Sequence, residues 1–531
     1  MERYFIGVDV GSGSVRAGLF DTRGELRAQA EHAIQQFAPR PDFVEQSSDD
    51  IWRQTCACVS DVTADAGVDP GSVAGLGFDA TCSLVALDGD GRPSSVSPDG
   101  SHDHNIVMWM DHRAIAEARA INATGHEALR YVGGEVSPEM ELPKLLWLKR
   151  HAPEQFERAG LFLDLADFMV YRATGEPVRS LCTLGCKWNY LAHEQRWPED
   201  MLATIGLSDL LAGGRAAGAI QSPGSRAGAL SAQAACDLGL TTDTIVATGI
   251  IDAHAGALGI LGADPEGGLA MIAGTSACHI AVSADPVFVP GVWGPYWGAM
   301  FPDGWINEGG QSAFGALIDH VVRDSAASTG IQSAAQQQGR SLYQRLNDQV
   351  RDLEAREAHP TRELHVLDYH HGNRSPRADP TLKGMMTGLT LGEDAADLAR
   401  RYLATLQAVS YGTRHIIEAM NEAGHGIRTI RLAGGLIKNP LWLRELADAT
   451  GLSLQLPRQE EPVLLGAAML GATACGEFPN LRAAAASLAD VGATIEPRPE
   501  HHDFHAAKYR IYKQLGDEQM RHREIMAPFD G

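Results

Sequence analysis

The feature that most constrains the fold is a strand–turn–strand pattern that occurs twice, about half a chain apart. Apolar runs at residues 4–8 and 15–20 are rich in β-branched and aromatic residues, and they flank the turn Gly11-Ser12-Gly13-Ser14. A second small-residue turn, Gly274-Thr275-Ser276, lies between two further apolar runs, 274 − 11 = 263 residues later. The repeat concerns architecture and not residue identity. It predicts two similar halves, each of which supplies one turn to a shared cleft.

The remaining periodicity predicts an α/β protein with two large domains. The chain has 531 residues, and at roughly 150 residues per domain this length corresponds to about three domains or two large ones. We place the boundaries at 1–260, 261–485 and 486–531, the last being a C-terminal tail. Helical spacing and apolar runs predict the following further elements: strands at 25–34, 73–78, 84–87, 427–433 and 452–456, and helices at 47–62, 112–121, 143–150, 163–173, 397–423, 441–450 and 463–475. The last of these helices is rich in Ala and Gly, which suits close packing.

The charge balance excludes several classes of partner. Lys and Arg total 44 and Asp and Glu total 67, which gives a net charge of −23. This acidic excess argues against a nucleic-acid binder and against docking on an anionic membrane. No apolar run reaches the roughly 18 residues of a membrane-spanning helix, and the N-terminal run is too short for a secretory leader. The eight cysteines match no zinc-binding spacing, so we expect reduced thiols in a cytoplasmic protein.

The first turn suits phosphate oxygens better than a dinucleotide. Arg16 stands where a dinucleotide fingerprint has its third glycine, and a strand follows where that motif needs a helix. Small residues let backbone N–H groups approach a phosphate, and Ser12 and Ser14 add hydroxyl donors. Asp9, at the end of the preceding run, is suited to hold Mg²⁺ directly or through water. A plain hairpin turn is the alternative interpretation.

A third glycine site, Gly434-Gly435-Leu436, follows the predicted strand at 427–433. By itself it is equally well explained as a loop that enters a helix. Taken with the two hairpin turns, it indicates a nucleotide clamped between the two domains.

These motifs together resemble those of a known family. Asp9–Arg16, Gly274-Thr275-Ser276 and Leu432–Leu436 resemble the phosphate and adenosine motifs of the actin/hexokinase/heat-shock-70 superfamily. Four further motifs narrow the resemblance to the FGGY carbohydrate kinases: Trp109–Arg113, Pro143–Leu148, Gly249–His254 and Glu308–Ala313. The resemblance runs from about residue 4 to about residue 476. It implies two ribonuclease-H-like domains with the active site in the cleft between them, and ATP and Mg²⁺ as cofactors.

Two segments make the resemblance more specific. Thr81-Cys82-Ser83-Leu84-Val85 is similar to a signature of D-ribulokinases, and Gly372-Asn373-Arg374-Ser375-Pro376 is typical of the ribulokinase branch. They imply ATP-dependent phosphorylation of D-ribulose to D-ribulose 5-phosphate. The alternatives are a kinase for L-ribulose, ribitol, D-xylulose or glycerol, or a relative that binds sugar and ATP without catalysis. The oligomeric state stays open, with a homodimer as one alternative.

The resemblance also implies roles for individual residues. Asp252 would be the catalytic base; otherwise it would cap the following helix. Asp111, Lys187 and Glu308 would bind sugar hydroxyls; otherwise they would be a helix cap, a surface lysine and a loop carboxylate. The whole set expected at the sugar is Thr81, Cys82, Ser83, Asp111, His112, Lys187, Asp252 and Glu308. The set expected at the nucleotide is Gly11, Ser12, Gly13, Ser14, Arg16, Gly274, Thr275, Ser276, Gln311, Gly434, Gly435, Leu436 and Asn439.

Other features near the expected site have a structural explanation as well as a functional one. His112 and His254 adjoin expected site residues and are explained equally well by packing. Cys82 is best explained as a small buried residue that lines the pocket. The aromatic segment 293–297 fits either the core or a lid edge, with a sugar-stacking platform as the alternative.

Overall fold

The computed structural model describes residues 2–97, 100–101 and 103–529. The first half contains thirteen described strands, which are β1 (Tyr4–Val10), β2 (Ser14–Asp21), β3 (Leu26–Ala33), β4 (Glu45–Gln46), β5 (Val73–Ala80), β6 (Leu84–Leu87), β7 (Ile106–Val107), β8 (Leu161–Asp164), β9 (Val178–Ser180), β10 (Ala219–Gln221), β11 (Arg226–Ala229), β12 (Ile245–Ala247) and β13 (Ile250–Ile251). Its helices are α1 (Ser48–Ala66), α2 (Ile115–Asn122), α3 (Glu141–His151), α4 (Pro153–Arg158), α5 (Leu165–Thr174), α6 (Leu181–Lys187), α7 (Glu199–Ile205), α8 (Asp209–Ala212), α9 (Ala232–Leu238) and α10 (Asp252–Leu261).

The second half contributes nine described strands, which are β14 (Gly268–Ala273), β15 (Ala277–Ser283), β16 (Trp293–Trp297), β17 (Trp305–Gln311), β18 (His365–Leu367), β19 (Met385–Thr387), β20 (Thr429–Ala433), β21 (Ser453–Pro457) and β22 (Val491–Ile495). Its helices are α11 (Gly315–Arg323), α12 (Ser328–Gln337), α13 (Leu342–Glu354), α14 (Ala395–Ala423), α15 (Pro440–Thr450), α16 (Pro462–Ala474), α17 (Leu481–Leu488) and α18 (His502–Met526). The predicted elements are confirmed with shifts of a few residues at their ends.

The two halves share one sheet topology. In the first sheet the neighbours run β3–β2–β1–β5–β12, and in the second they run β17–β15–β14–β20–β21. Along both paths the first two pairings are antiparallel and the next two are parallel. The predicted repeat of architecture is therefore confirmed. The first turn connects β1 to β2, and the second connects β14 to β15. This two-domain α/β arrangement also confirms the predicted fold class.

Helix α16 joins the halves, because it comes from the second half and packs on the first sheet. Glycines on both sides make the approach close enough to exclude any side chain. A Cβ on Gly7 would lie 2.0 Å from the Leu464 carbonyl oxygen, and one on Gly75 would lie 2.3 Å from that of Gly471. On its other side, a Cβ on Gly466 would lie 2.0 Å from the Ala255 carbonyl oxygen of α10. The Ala- and Gly-rich composition is thus required by two close contacts.

The C-terminal segment packs on the second half. Strand β22 pairs antiparallel with β21 and extends the second sheet. Helix α18 buries Tyr509 and Tyr512 in an apolar cluster with Tyr369 and Tyr411. The polar stretch at 324–362 forms α12 and α13 on the surface of the same half. Among the described residues, the helices that are long enough to span a bilayer are not apolar enough to do so.

Candidate active site

Three carboxylates meet at one edge of the first sheet. Asp9 lies near the end of β1, Asp79 near the end of β5, and Asp252 directly after β13. These three strands are parallel, with Asp79 in register with both Asp9 and Ile250. Carboxyl ends of parallel strands come together at the edge where α/β proteins bind ligands. Asp9 and Asp79 are buried, whereas Asp252 is partly exposed to the cleft.

Burial and mutual repulsion raise the pKa of two of these carboxylates, Asp252 and Asp79. Burial, followed by the charge of Asp9, raises the pKa of Asp252 to about 6, while the Ala253 N–H, donating at 2.7 Å, opposes that rise. The same two causes raise the pKa of Asp79 well above its usual value. Neither oxygen of Asp79 has a hydrogen-bond partner among the residues that the structure describes. Such an oxygen-only donor set with unused lone pairs fits Mg²⁺.

Arg16 is held by two carboxylates on the wall of the cleft. Its Nε donates to Asp9 Oδ2 at 2.9 Å, and its Nη1 donates to Glu461 Oε2 at 2.9 Å. Burial lowers the pKa of Arg16, but the charge of Asp9 and its hydrogen bond raise it overall. The arginine therefore fixes the direction of the Asp9 carboxylate and ties the first sheet to the start of α16.

The first turn uses its hydroxyls within the protein. The Gly11 N–H donates to the Ser14 carbonyl at 3.0 Å, which closes the turn. Ser14 Oγ donates to Glu31 at 2.7 Å, and Ser12 Oγ accepts from Trp109 Nε1 at 2.9 Å. Gly13 is exposed, and a Cβ on it would meet nothing within 4 Å. The turn thus presents open backbone at its tip, and its hydroxyls are used to shape it.

The second turn and the Gly434 site meet at the equivalent edge of the second sheet. Gly434 has φ 98°, and a Cβ on it would lie 2.4 Å from the Ala273 carbonyl oxygen. Gly274 accepts from the Gly315 N–H at the start of α11, and Thr275 is exposed at the tip. Two of the three predicted nucleotide motifs, 274–276 and 434–436, are therefore adjacent, because their strands β14 and β20 pair.

Two other residues expected at the nucleotide use their side chains inside the second half. The Gln311 amide donates to Asp368 at 2.8 Å and accepts from Thr413 at 2.9 Å. Asn439 accepts from the N–H groups of residues 441 and 442 and so caps α15. A nucleotide contact from either residue would have to come from its backbone.

A buried cluster of charges occupies the space between the two sheets. Arg374 Nη2 donates to Glu308 Oε1 at 2.7 Å, and His254 Nε2 faces Glu308 Oε2 at 3.4 Å. The Lys187 ammonium lies 4.2 Å from the centre of the Trp293 ring, and the Arg374 guanidinium lies 4.0 Å from it. Cations near an aromatic face are stabilised by the ring quadrupole. The structure therefore brings together two of the predicted sugar ligands, Lys187 and Glu308.

The charges in this cluster stabilise one another. Burial raises the pKa of Glu308, but Lys187, His254 and Arg374 hold it well below its usual range. Burial lowers the pKa of Lys187, whereas Cys82 and Glu308 raise it well above the ordinary lysine value. The cluster is therefore ionised at neutral pH.

Several polar atoms of the same cluster form no hydrogen bond with the described residues. Glu308 Oε2, His254 Nε2 and Arg374 Nε are buried without a formed hydrogen bond to any described residue. Lys187, 3% exposed, forms no ion pair or hydrogen bond in the described part of the chain. Buried polar groups are normally paired, and exceptions mark sites of ligands or bound water. A polyhydroxyl ligand would satisfy these atoms.

Asp111, also expected at the sugar, is used elsewhere. Both its oxygens accept from Arg113, and Oδ2 also accepts from the Val44 N–H at 2.7 Å. Arg113 in turn donates to Glu45 and stacks on the Phe43 ring at 4.0 Å. The helix predicted from residue 112 begins only at Ile115, because Asp111 and Arg113 form this local ion pair first.

The other residues expected at the sugar lie near the end of β5 or beside Asp111. Thr81 Oγ1 and Ser83 Oγ are 3.2 Å apart, and Ser83 also accepts from the Trp109 N–H. Burial raises the pKa of Cys82 to about 12, which makes it an unreactive thiol. The His112 N–H donates to the Asp42 carbonyl.

Sequence reasoning did not assign Asp79 or Arg374 to the site, and it offered the segment that contains Trp293 as a sugar-stacking platform only as an alternative. Asp79 lies two residues before the Thr81-Cys82-Ser83 signature, and Arg374 lies within the Gly372–Pro376 motif. Gly310 explains the position of Arg374, because a Cβ there would lie 2.6 Å from the arginine Cδ. The signal was present in the quoted motifs, but only the fold brings these three side chains to the cleft.

Comparison with known proteins identifies the family and the fold. The family model for the N-terminal domain of the FGGY carbohydrate kinases matches residues 4–259, and that for the C-terminal domain matches residues 269–475. Among solved structures, a gluconate kinase from Lactobacillus acidophilus superimposes with a TM-score of 0.82 at 18% identity, covering 99% of each chain. A xylulose kinase from Rhodospirillum rubrum gives a TM-score of 0.80 at 22% identity, again over 99% of each chain.

Curated relatives are closer in sequence. An FGGY carbohydrate kinase domain-containing protein from Homo sapiens is 47% identical over 99% of this chain and 98% of its own. A D-ribulokinase from Saccharomyces cerevisiae is 39% identical over 90% of this chain and 73% of its own. A ribulokinase from Geobacillus thermodenitrificans is 31% identical over 97% and 94%. With both domains matched in order along one chain, this protein belongs to the FGGY family of carbohydrate kinases.

Proposed function

We propose that this carbohydrate kinase transfers the terminal phosphoryl group of ATP to a ketopentose, and that D-ribulose is its preferred substrate and D-ribulose 5-phosphate its product. The observation that carries the proposal is the buried, ionised cluster of Lys187, Glu308 and Arg374 beside Asp252, with polar atoms left unpaired. The yeast relative described as a D-ribulokinase supports the choice of sugar.

The cluster suits a polyol because each sugar hydroxyl both donates and accepts. Glu308 Oε2 is an acceptor, and Lys187 and Arg374 Nε are donors without partners in the described chain. Trp293 lies beside both cations and supplies an apolar wall. Such a set of partners binds a small neutral polyol strongly only if its hydroxyls match in position, which is the basis of selectivity among pentuloses.

In this proposal Asp252 acts as the base. As the sugar oxygen attacks, its O–H bond breaks and the proton passes to the Asp252 carboxylate, while the new O–P bond forms and ADP leaves with the electron pair of the broken P–O bond. A pKa raised to about 6 keeps Asp252 ionised at neutral pH and makes it a better proton acceptor than an ordinary aspartate. Its partly exposed position beside the buried cluster provides access to a sugar hydroxyl.

ATP would bind mainly to the second half, with its phosphates between the two Gly/Ser turns. Turns 274–276 and 434–436 present small residues at one edge, so backbone N–H groups can approach phosphate oxygens. Asp9 and Asp79 would hold Mg²⁺, which neutralises phosphate charge when it is bound. Arg16 orients Asp9 for that role. Closing the cleft would exclude water and protect ATP from hydrolysis.

An ADP-release assay with a panel of sugars tests this function. We expect D-ribulose to give a kcat/KM at least about 10-fold above L-ribulose, D-xylulose, ribitol and glycerol, because a site built around hydroxyl partners leaves buried groups unpaired with the wrong stereoisomer. A clear preference for another member of the panel would overturn the substrate assignment. Tight binding of both sugar and ATP without ADP release would favour the non-catalytic alternative.

A further inference from the structure

Behind the sugar cluster, and sharing His254 with it, lies a pair of cysteines that the proposed reaction does not use. Cys182 and Cys186 are four residues apart on α6 and therefore share one face of that helix. His254 faces them from α10. The two Sγ atoms and a ring nitrogen of His254 all lie within 4.8 Å of one another, and all three residues are fully buried.

His254 faces a thiol with one ring nitrogen and a carboxylate with the other. Its Nδ1 lies 3.1 Å from Cys182 Sγ, and its Nε2 points at Glu308 Oε2, 3.4 Å away. Neither Nε2 nor Oε2 has a formed hydrogen bond within the described chain. In zinc sites the ring nitrogen that does not bind metal typically donates to a carboxylate, which fixes the tautomer. Here Nδ1 is aimed at the thiols and Nε2 at the carboxylate.

The donor set selects a class of ion. Two thiolates and one imidazole suit Zn²⁺, Cd²⁺ or Cu⁺ and are poor ligands for Mg²⁺, which prefers oxygen. A metal binds the thiolate form of cysteine and the neutral form of histidine, so its binding is coupled to loss of protons from these residues.

One other described group has comparable ligand types, but its atoms are already used. Glu445, Asp448 and His505 also lie within 4.8 Å of one another. Asp448 accepts from Arg498, Glu445 accepts from Gln407 at 2.8 Å, and His505 contacts the Tyr411 hydroxyl at 2.9 Å. That group is therefore explained by internal contacts. In the Cys182–Cys186–His254 group, Cys182 Sγ contacts His254 Nδ1 and accepts from the Ile251 N–H at 3.5 Å, but His254 Nε2 has no formed hydrogen bond to any described residue.

We propose that Cys182, Cys186 and His254 bind one thiophilic metal ion of the Zn²⁺ class, and that occupancy of this site suppresses the kinase. Cys186 directly precedes Lys187, and His254 lies two residues after Asp252. Drawing the three ligands onto one ion would release the protons that their metal-binding atoms carry and would bring α6 and α10 closer together. That shift would move Lys187 and Asp252 relative to Glu308. The binding claim stands without the proposed function, and only the suppression rests on it.

Binding is tested with metal alone on the purified chain. With Cd²⁺ we expect a thiolate charge-transfer absorption in the near ultraviolet that saturates at one ion per chain. Cys182→Ser and Cys186→Ser should each abolish the band, and Cys236→Ser, at an exposed cysteine, should retain it. In equilibrium dialysis, the wild-type chain and Cys236→Ser should each bind one Zn²⁺ ion, and Cys182→Ser and Cys186→Ser should not bind it. No band in the wild-type chain, or a band that survives both substitutions, would overturn the site without depending on how any variant folds.

Suppression is tested separately, in the kinase assay at saturating MgATP. We expect Zn²⁺ to lower the wild-type and Cys236→Ser rates at least about 10-fold, with recovery after a chelator is added, and we expect the residual rate of Cys186→Ser to be unaffected. Circular dichroism melts of each variant confirm that it is folded. Zn²⁺ bound at this site with an unchanged rate would overturn the suppression, and a chain without kinase activity on any sugar would instead overturn the proposed function.

Discussion

Two of the buried groups of charges in the described part of the chain differ from each other in how completely their atoms are paired. The cleft cluster, between the two sheets, consists of Lys187, Asp252, His254, Glu308 and Arg374. The cap cluster, where α18 packs on the second half, consists of Glu445, Asp448, His505 and Lys508. Both groups are largely removed from water. Only the cleft cluster keeps unpaired atoms on several of its members.

The cap cluster shows what a saturated group looks like. Asp448 accepts from the Arg498 backbone at 2.7 Å and from its guanidinium at 2.9 Å. Lys508 donates to the Thr361 carbonyl at 2.7 Å and to the Leu364 carbonyl at 2.6 Å. His505 contacts the Tyr411 hydroxyl. These contacts fasten the C-terminal segment to α14, α15 and the segment before β18, and they leave little for a ligand to satisfy.

The comparison teaches that buried charge alone does not mark a binding site. A buried ion pair whose partners are all internal serves the fold, and its removal is expected to affect stability. A buried group with unused donors and acceptors is complete only with a ligand. We therefore expect substitutions in the cleft cluster to change activity and substitutions in the cap cluster to change stability.

The largest effect is expected from Asp252→Asn. The amide can still accept from the Ala253 N–H but cannot take a proton, so kcat should fall about 10³-fold, within the range for loss of a general base. Steady-state ADP release at saturating sugar measures it, with the surface variant Asp352→Asn as control. Turnover within a few-fold of wild type would show that Asp252 is not the base.

Arg374→Lys should have the next largest effect. Lysine loses the planar contact with Trp293 and the fork that reaches Glu308, so kcat/KM for the sugar should fall about 10²-fold, with little change in Tm. The matched control is Arg377→Lys in the same loop, which contacts Tyr369 and Asp517 instead. Equal losses in the two variants would remove the distinction between this arginine and its neighbour.

In the cap cluster, Asp448→Asn should lower stability and leave activity unchanged, which is the reverse of the result expected for Arg374→Lys. The variant leaves the Arg498 guanidinium without its carboxylate, so the free energy of unfolding should fall by about 2 kcal/mol while kcat/KM is unchanged. Urea denaturation measures the first and ADP release the second, with exposed Asp490→Asn as control. A catalytic loss without a loss of stability would contradict the structural role of this cluster.

The smallest effect for each step measured, about 1 kcal/mol per pH unit, concerns the pH dependence of stability at Lys508. Burial lowers its pKa from 10.5 to about 7, so between these values the unfolded chain binds the extra proton and the folded chain does not. Stability from this group therefore rises with pH, by about 1 kcal/mol per pH unit, and is constant below pH 7. The difference in unfolding free energy between wild type and Lys508→Met should show this slope. A flat difference would mean that the folded lysine stays charged.

The fold was predictable from the sequence where local patterns determine it. The two hairpins, the repeat between the halves and the Ala/Gly-rich helix all followed from short-range spacing. The packing of α16 on the sheet of the other half did not, because glycine content shows that a helix can approach closely and not what it approaches. The pairing of β22 with β21 was missed for the same reason.

The candidate site was predictable only in part. Asp9, Lys187, Asp252 and Glu308 lie in motifs whose residue types suit phosphoryl transfer, and the structure places them around the cleft. Asp79 was missed because its proximity to Asp9 depends on strand register. Gln311 and Asn439 have side chains that face inward, which depends on the contacts of β17 and α15 and not on their motifs.

The central claim is that a phosphoryl group passes from ATP to the terminal hydroxyl of a pentulose held against the cleft cluster. Phosphorus NMR of wild-type protein with MgATP and D-ribulose tests it most directly, because it reports both the fate of the phosphate and its position on the sugar. We predict a single phosphomonoester on the 5-hydroxyl, formed in equal amount to ADP. Inorganic phosphate as the product, or a phosphomonoester on another carbon, would contradict the account.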